Sequence, residues 1–270
     1  MLEIRAEPQR TAWDLNWSML RVPVRVHPLF WLICLWFSYN KDIPFAAVLI
    51  SIACMFVSIL VHEFGHALSH RHFGSRNMYV VLYTMGGLCI SSGTPPRWPR
   101  IASLLWGPGA GFLLGIPAYI AGAVLFGPKF PIQTVITSSN EQYYLLVTLN
   151  ALVWINMMWG LVNLLPIFPL DGGQILREWV QWKRPQRGEA FAFKVSFYAA
   201  IAATVAAIAL FIIFDGKDFR NLYPAFLFGS IAYSNYKLRQ QIELYGEFGG
   251  GQDEGPRQPW EQDADWWKRS

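Results

Sequence analysis

Charge is scarce in this chain. Asp, Glu, Lys and Arg make up 15% of its 270 residues, against 53% hydrophobic residues and 16% aromatics, a balance that excludes an ordinary soluble globule. Charge is missing altogether from Pro44 to Val61, Ile101 to Pro128, Gln142 to Leu170, Val195 to Phe214 and Asn221 to Tyr236. Most of these runs are long enough to cross about 30 Å of hydrocarbon. A sixth, His27 to Asn40, is short for a crossing unless it tilts or borrows its flanks. Cysteine is scarce too. Cys34, Cys54 and Cys89 are odd in number, widely spaced and in or near apolar segments, which excludes a disulfide framework and a thiolate metal site and leaves them as small core residues. The first 20 residues lack an apolar core ending in a small-residue cleavage site and carry Glu3, Arg5, Glu7, Arg10 and Asp14 instead. No removable signal peptide is expected, and the first span is expected to direct insertion.

What is present sets an orientation. The net charge of +4 would suggest nucleic acid in a soluble protein, but membrane topology accounts for these basic residues, so no nucleic-acid partner is expected. With the N-terminus in the cytoplasm and six alternating spans, 18 of the 22 Lys and Arg residues fall inside, leaving Lys41, Lys129, Lys217 and Arg220 outside. The positive-inside rule then puts both termini in the cytoplasm of a multi-pass cell-membrane protein. Between the second and third spans, Tyr79 to Tyr83 is β-branched and aromatic, Gly86 and Gly87 interrupt it, and Leu88 to Ser91 resumes. This reads as strand, turn, strand near the membrane surface. After Tyr236 the composition turns to Gly, Gln, Asp, Glu and Pro, with Gly249 to Gly251 consecutive and Trp260, Trp266 and Trp267 further on. The expected class is an α-helical polytopic membrane protein with about six transmembrane helices and a short membrane-associated β-hairpin. Residues 1–26 are a cytoplasmic segment, 27–236 the membrane-embedded domain and 237–270 a flexible cytoplasmic tail.

Chemistry concentrates at two places. His62-Glu63-Phe64-Gly65-His66 follows directly on an uncharged run, which puts it at the end of a helix. Histidines four apart project from one face, so two imidazoles reach one zinc ion while the glutamate beside the first reaches water next to the metal. The bland alternative is two histidines and a glutamate facing a polar cleft. Against it, Glu63 and Asp171 sit at the edges of predicted spans, where a carboxylate usually pairs, lines a cavity or binds a cation. His70 lies about 12 Å along the axis from His62, too far for one ion, and reads with His72 as a polar residue at the membrane surface. His27 reads as interfacial. A third ligand is sought in Asn163-Leu-Leu-Pro166-Ile-Phe-Pro169-Leu-Asp171-Gly172-Gly173. Its prolines break the helix, and an irregular turn at membrane depth is tolerated only where it is buried in protein or lines a cavity.

HEFGH on one span and NLLPIFPLDGG at the end of a later one resemble the site-2 protease family of intramembrane metalloproteases. The resemblance runs from about His27 to Arg177, through the Gly86-Gly87 hairpin and a Gly107-Pro108 turn into the third span. It implies one zinc ion per chain held by His62, His66 and Asp171. It implies Glu63 as the catalytic base and Asn163 as the residue that steadies the reacting carbonyl. The implied partners are a transmembrane protein substrate and the lipid bilayer. Gly109-Ala110-Gly111 stands where many members have an asparagine. The Lys129 to Glu141 loop is too short for a PDZ domain and the tail too short for a CBS pair, so a compact member is expected. A hairpin strand edge is open to an unwound substrate by β-addition; a purely structural hairpin is the alternative. Three rival readings stand beside the protease: a metal transporter, a helix-binding pseudoprotease and a prenyl-protein type of zinc protease.

Overall fold

The computed structural model describes residues 8–84, 86–92, 96–128, 130–131, 139–185, 187–214 and 219–248. Its central element is helix α2 (Phe45–His72), preceded by the short α1 (Pro28–Ser38). From Phe45 to Val61 the chain is apolar on all sides, and a helix satisfies every backbone donor internally in such an environment. The helix does not stop where charge begins. It continues ten residues past His62, so the histidine pair lies within the helix and not at its end. The stop is set by Gly74, whose φ of +84° lets its N–H bond to the Arg71 carbonyl and the Ser75 N–H to the His70 carbonyl, the paired bonds of a Schellman ending.

That reversal feeds β3 (Arg76–Tyr83), which pairs antiparallel with β4 (Gly86–Ser92) as the strand, turn, strand pattern predicts. The hairpin is not isolated. An N-terminal hairpin, β1 (Leu15–Met19) and β2 (Val22–Val26), joins it through parallel pairing of β2 with β3, giving the order β1-β2-β3-β4. Leu20 and Arg21, both at positive φ, make the two-residue turn whose twist suits such a hairpin. Val22, Val24, Val26, Val80 and Leu82 pack with Phe30 and Cys34 of α1 and Ile59, Leu60 and Phe64 of α2 in one core cluster. A domain boundary after residue 26 therefore cuts through a core. Its sequence signal was the alternation of Val22, Val24 and Val26.

The chain continues through α3 (Arg97–Phe126), α4 (Asn140–Asn163), α5 (Asp171–Lys183), α6 (Gly188–Phe214), a 3-10 turn (Phe219–Leu222) and α7 (Tyr223–Phe248). Among the described residues, four helices are long and apolar enough to cross a membrane: α2, α3, α4 and α6. α1, at 11 residues, reaches only about 16 Å. α7 is 26 residues long but less apolar, with Lys237 and Arg239 in its second half. Leu113 and Val124 on α3 and Val205 and Ile212 on α6 are more than half exposed, as lipid-facing side chains are.

The break that the prolines predict is present: α4 ends at Asn163, residues 164–170 form a loop, and α5 begins at Asp171. Two sequence expectations are corrected. Gly107-Pro108 lies inside α3, not at a turn into it. The chain remains helical from 237 to 248, and residues 249–270, with Trp260, Trp266 and Trp267, lie outside the described residues, as do 132–138 of the expected outer loop.

Candidate metal centre

His62 and His66 stand one turn apart on α2, and the loop after α4 brings Asp171 to them. His62 Nε2 and His66 Nε2 are 3.2 Å apart; Asp171 Oδ2 is 3.2 Å from the first and 3.3 Å from the second. All three residues are buried. Donors about 2.1 Å from a tetrahedral zinc ion lie about 3.4 Å from one another, close to the triangle seen. Hydrogen-bond geometry supports the same use. His66 Nδ1 is 2.8 Å from the Ser103 carbonyl, which can only accept, so Nδ1 carries the proton and Nε2 of the neutral ring offers a lone pair. Asp171 Oδ2 is buried with no hydrogen bond of acceptable angle, although both imidazoles are close. A buried carboxylate oxygen left this way is costly, and a cation at the triangle's centre removes the cost. The donor set therefore fits zinc.

Close approach holds the ligands in place. A Cβ on Gly107 of α3 would overlap the His66 ring, and one on Gly87 of β4 would overlap the Glu63 carboxylate. Helix α3 thus backs His66 and the sheet backs Glu63. Gly65, between them in sequence, faces the Trp106 carbonyl and Ala110, so α2 and α3 meet backbone to backbone. Gly172 and Gly173 lie against the carbonyls of Leu164, Leu165 and Ile167, which folds the 164–170 loop back on itself and sets Asp171 at the first turn of α5. A negative charge is favoured at a helix N-terminus.

His62, Glu63, His66, Asn163 and Asp171 share one cavity of about 440 Å³, walled also by β4 and by Leu227, Ser230 and Ser234 of α7. Asn163 donates one amide hydrogen to the Trp159 carbonyl at 2.9 Å. His70, expected at the membrane surface, belongs to this wall; its Nδ1 is buried and has no hydrogen-bond partner among the described residues. It is not part of the ligand cluster, in line with its distance along the helix. His27 caps α1, its Nδ1 accepting from the Leu29 N–H at 3.2 Å, and is absent from the cavity wall. Sequence reasoning missed the buried polar residues around the site. Asn156 bonds Ser58 at 2.8 Å between α4 and α2, and Ser103, Ser196 and Asn235 are fully buried. The available signal was a lone polar residue inside an uncharged run.

The family model for peptidase family M50 matches residues 50–207. Zinc metalloprotease MJ0392 of Methanocaldococcus jannaschii is 30% identical over 163 residues, which cover 59% of this chain and 43% of that protein. Stage IV sporulation protein FB of Bacillus subtilis is 27% identical over 163 residues, covering 60% of this chain and 49% of that protein. The chain spans less than half the length of either relative. Among solved structures, a site-2 protease from Methanocaldococcus jannaschii shares the fold, with a TM-score of 0.54 at 22% identity over 83% of this chain and 94% of the other.

Proposed function

Because this chain belongs to peptidase family M50, we propose that it is an intramembrane zinc metalloprotease that hydrolyses peptide bonds in or near transmembrane segments of membrane proteins. The observation that carries the reading is the triangle of buried His62, His66 and Asp171 donor atoms with Glu63, also buried, in the same cavity. His62, His66 and Asp171 hold one zinc ion per chain. Bound zinc lowers the pKa of water towards about 7 and polarises a carbonyl. Glu63 takes the proton from the attacking water and returns it to the amine that leaves as the C–N bond breaks. Asn163, with one amide hydrogen committed to Trp159, directs the other at the carbonyl oxygen.

A helical substrate hides its carbonyls in its own hydrogen bonds, so a short stretch must unwind. β4 is an outer strand of the sheet, and Gly87, Leu88 and Cys89 line the cavity, which supports β-addition of that stretch beside Glu63. We take α1 as a tilted fifth crossing and α7 as a sixth, with the metal-bearing ends in the cytoplasmic half and both termini in the cytoplasm. Arg71, Arg76, Arg97, Arg100, Arg177 and Lys194, all on the metal-bearing ends, support that side.

The direct test is cleavage of a model transmembrane substrate by purified protein in liposomes. A zinc chelator should stop cleavage and stoichiometric zinc should restore it. Undiminished cleavage by fully metal-free protein would overturn the proposal.

A further inference from the structure

The chemistry above makes no use of Asn235, which has no exposed surface although it lies on α7 among apolar side chains. Its Nδ2 donates to the Phe168 carbonyl at 2.6 Å and to the Ile231 carbonyl at 2.9 Å. The Phe168 N–H in turn donates to Ser196 Oγ of α6 at 3.1 Å, and Ser196 is also fully buried. Both backbone polar groups of one residue are thus satisfied by side chains from two different helices. Phe168 sits in the middle of the 164–170 loop, three residues before Asp171. The loop's own bonds, Ile167 N–H to Leu165 and Leu170 N–H to Ile167, are short-range and fix its curl but not its place against α6 and α7. A buried polar residue in an apolar span is expensive unless its bond is needed, and here two such residues grip the same residue's backbone.

We infer that Asn235, together with Ser196, is a positioning residue for Asp171: the pair anchors Phe168 so that the loop delivers the carboxylate to the His62–His66 pair. The inference rests on the metal-site reading. It also gives α7 a second task, because Leu227, Ser230, Ile231 and Ser234 of the same helix line the cavity. The seating of α7 is shared between the cavity wall and the loop that carries a ligand.

The test uses full-length protein in detergent, stripped of metal and reloaded with cobalt(II), whose visible absorption reports ligand geometry. Asn235→Leu keeps volume and removes the donor; Ser196→Ala removes the acceptor with little change in size. Both should change the cobalt spectrum and release zinc to a chelator faster, with zinc affinity falling by about tenfold, the lower end of the loss seen when a group supporting a metal ligand is removed. Val153→Ala, in a separate core cluster, serves as the stability control and should lower thermal stability while leaving spectrum and release unchanged. If wild type binds one cobalt and both variants match it in spectrum and release rate, the positioning role is overturned. If wild type itself fails to bind cobalt or zinc, the metal-site reading falls instead.

Discussion

Two glycines divide the labour at the site. Gly107 leaves room for the imidazole of His66, and Gly87 leaves room for the carboxylate of Glu63. A methyl group at either position overlaps a side chain of the candidate site, and the consequences should differ because in the proposed mechanism one neighbour binds metal and the other moves a proton. Gly107→Ala should lower zinc occupancy and cleavage together. Gly87→Ala should keep zinc near the wild-type level and still lose at least about tenfold in cleavage, since a base displaced by 1 Å loses much of its effect. Metal analysis and rate measurements on the same samples separate the two. At this scale the sequence was informative about which residues come together: the His62–His66 pair was legible from its helical spacing and Asp171 from the proline-broken turn before it, and the three cluster in the structure. It was uninformative for Ser103, Ser196 and Asn235, whose purpose depends on carbonyls contributed by other elements. His70 misled because its position near the end of an apolar run said nothing of which face met the cavity.

Among the elements, α2 and the β3–β4 hairpin were readable from periodicity, glycine placement and the absence of charge, all local properties. The N-terminal hairpin was not recognised, because five-residue strands show only two or three alternations and β2 acquires its meaning from parallel pairing with β3, more than 50 residues away. The break between α4 and α5 was half legible: the prolines announced it, but an uncharged stretch offers no sign that a loop lies buried at membrane depth. Burial of Val24 gives a check on the N-terminal strands. Val24→Ala, at a site 2% exposed, should cost about 2 kcal/mol of stability through lost packing, and Leu15→Ala on the exposed strand β1 should change stability by less than about 0.5 kcal/mol. Equilibrium unfolding of the two variants in detergent measures both. Equal effects would mean that β2 is not part of the core.

For the whole molecule, the arrangement joins an apolar exterior to a cavity at one end that holds His62, Glu63, His66 and Asp171 among largely apolar walls. The His62–His70 stretch of α2, the end of α4, the loop before α5, Leu104 of α3 and residues 227–234 in the first half of α7 carry or line the candidate ligand cluster, and Arg71, Arg76, Arg97 and Arg100 lie close by in sequence. The proposed orientation rests on that asymmetry. A cysteine at Lys41, exposed at the opposite end beside α1, should react with an impermeant thiol reagent added to intact cells, and a cysteine at Arg76, exposed at the metal-bearing end, should react only after permeabilisation. The opposite pattern would place the centre in the outer half. The most direct test of the whole account is Glu63→Gln, measured for zinc content and for cleavage of a transmembrane substrate in one preparation. In the proposed mechanism Glu63 touches the reacting water, and it lies outside the candidate metal-binding cluster. The variant should therefore hold zinc near wild-type occupancy while cleavage falls by at least about 10²-fold to 10⁴-fold. Zinc-loaded Glu63→Gln protein that cleaves at the wild-type rate would contradict the account.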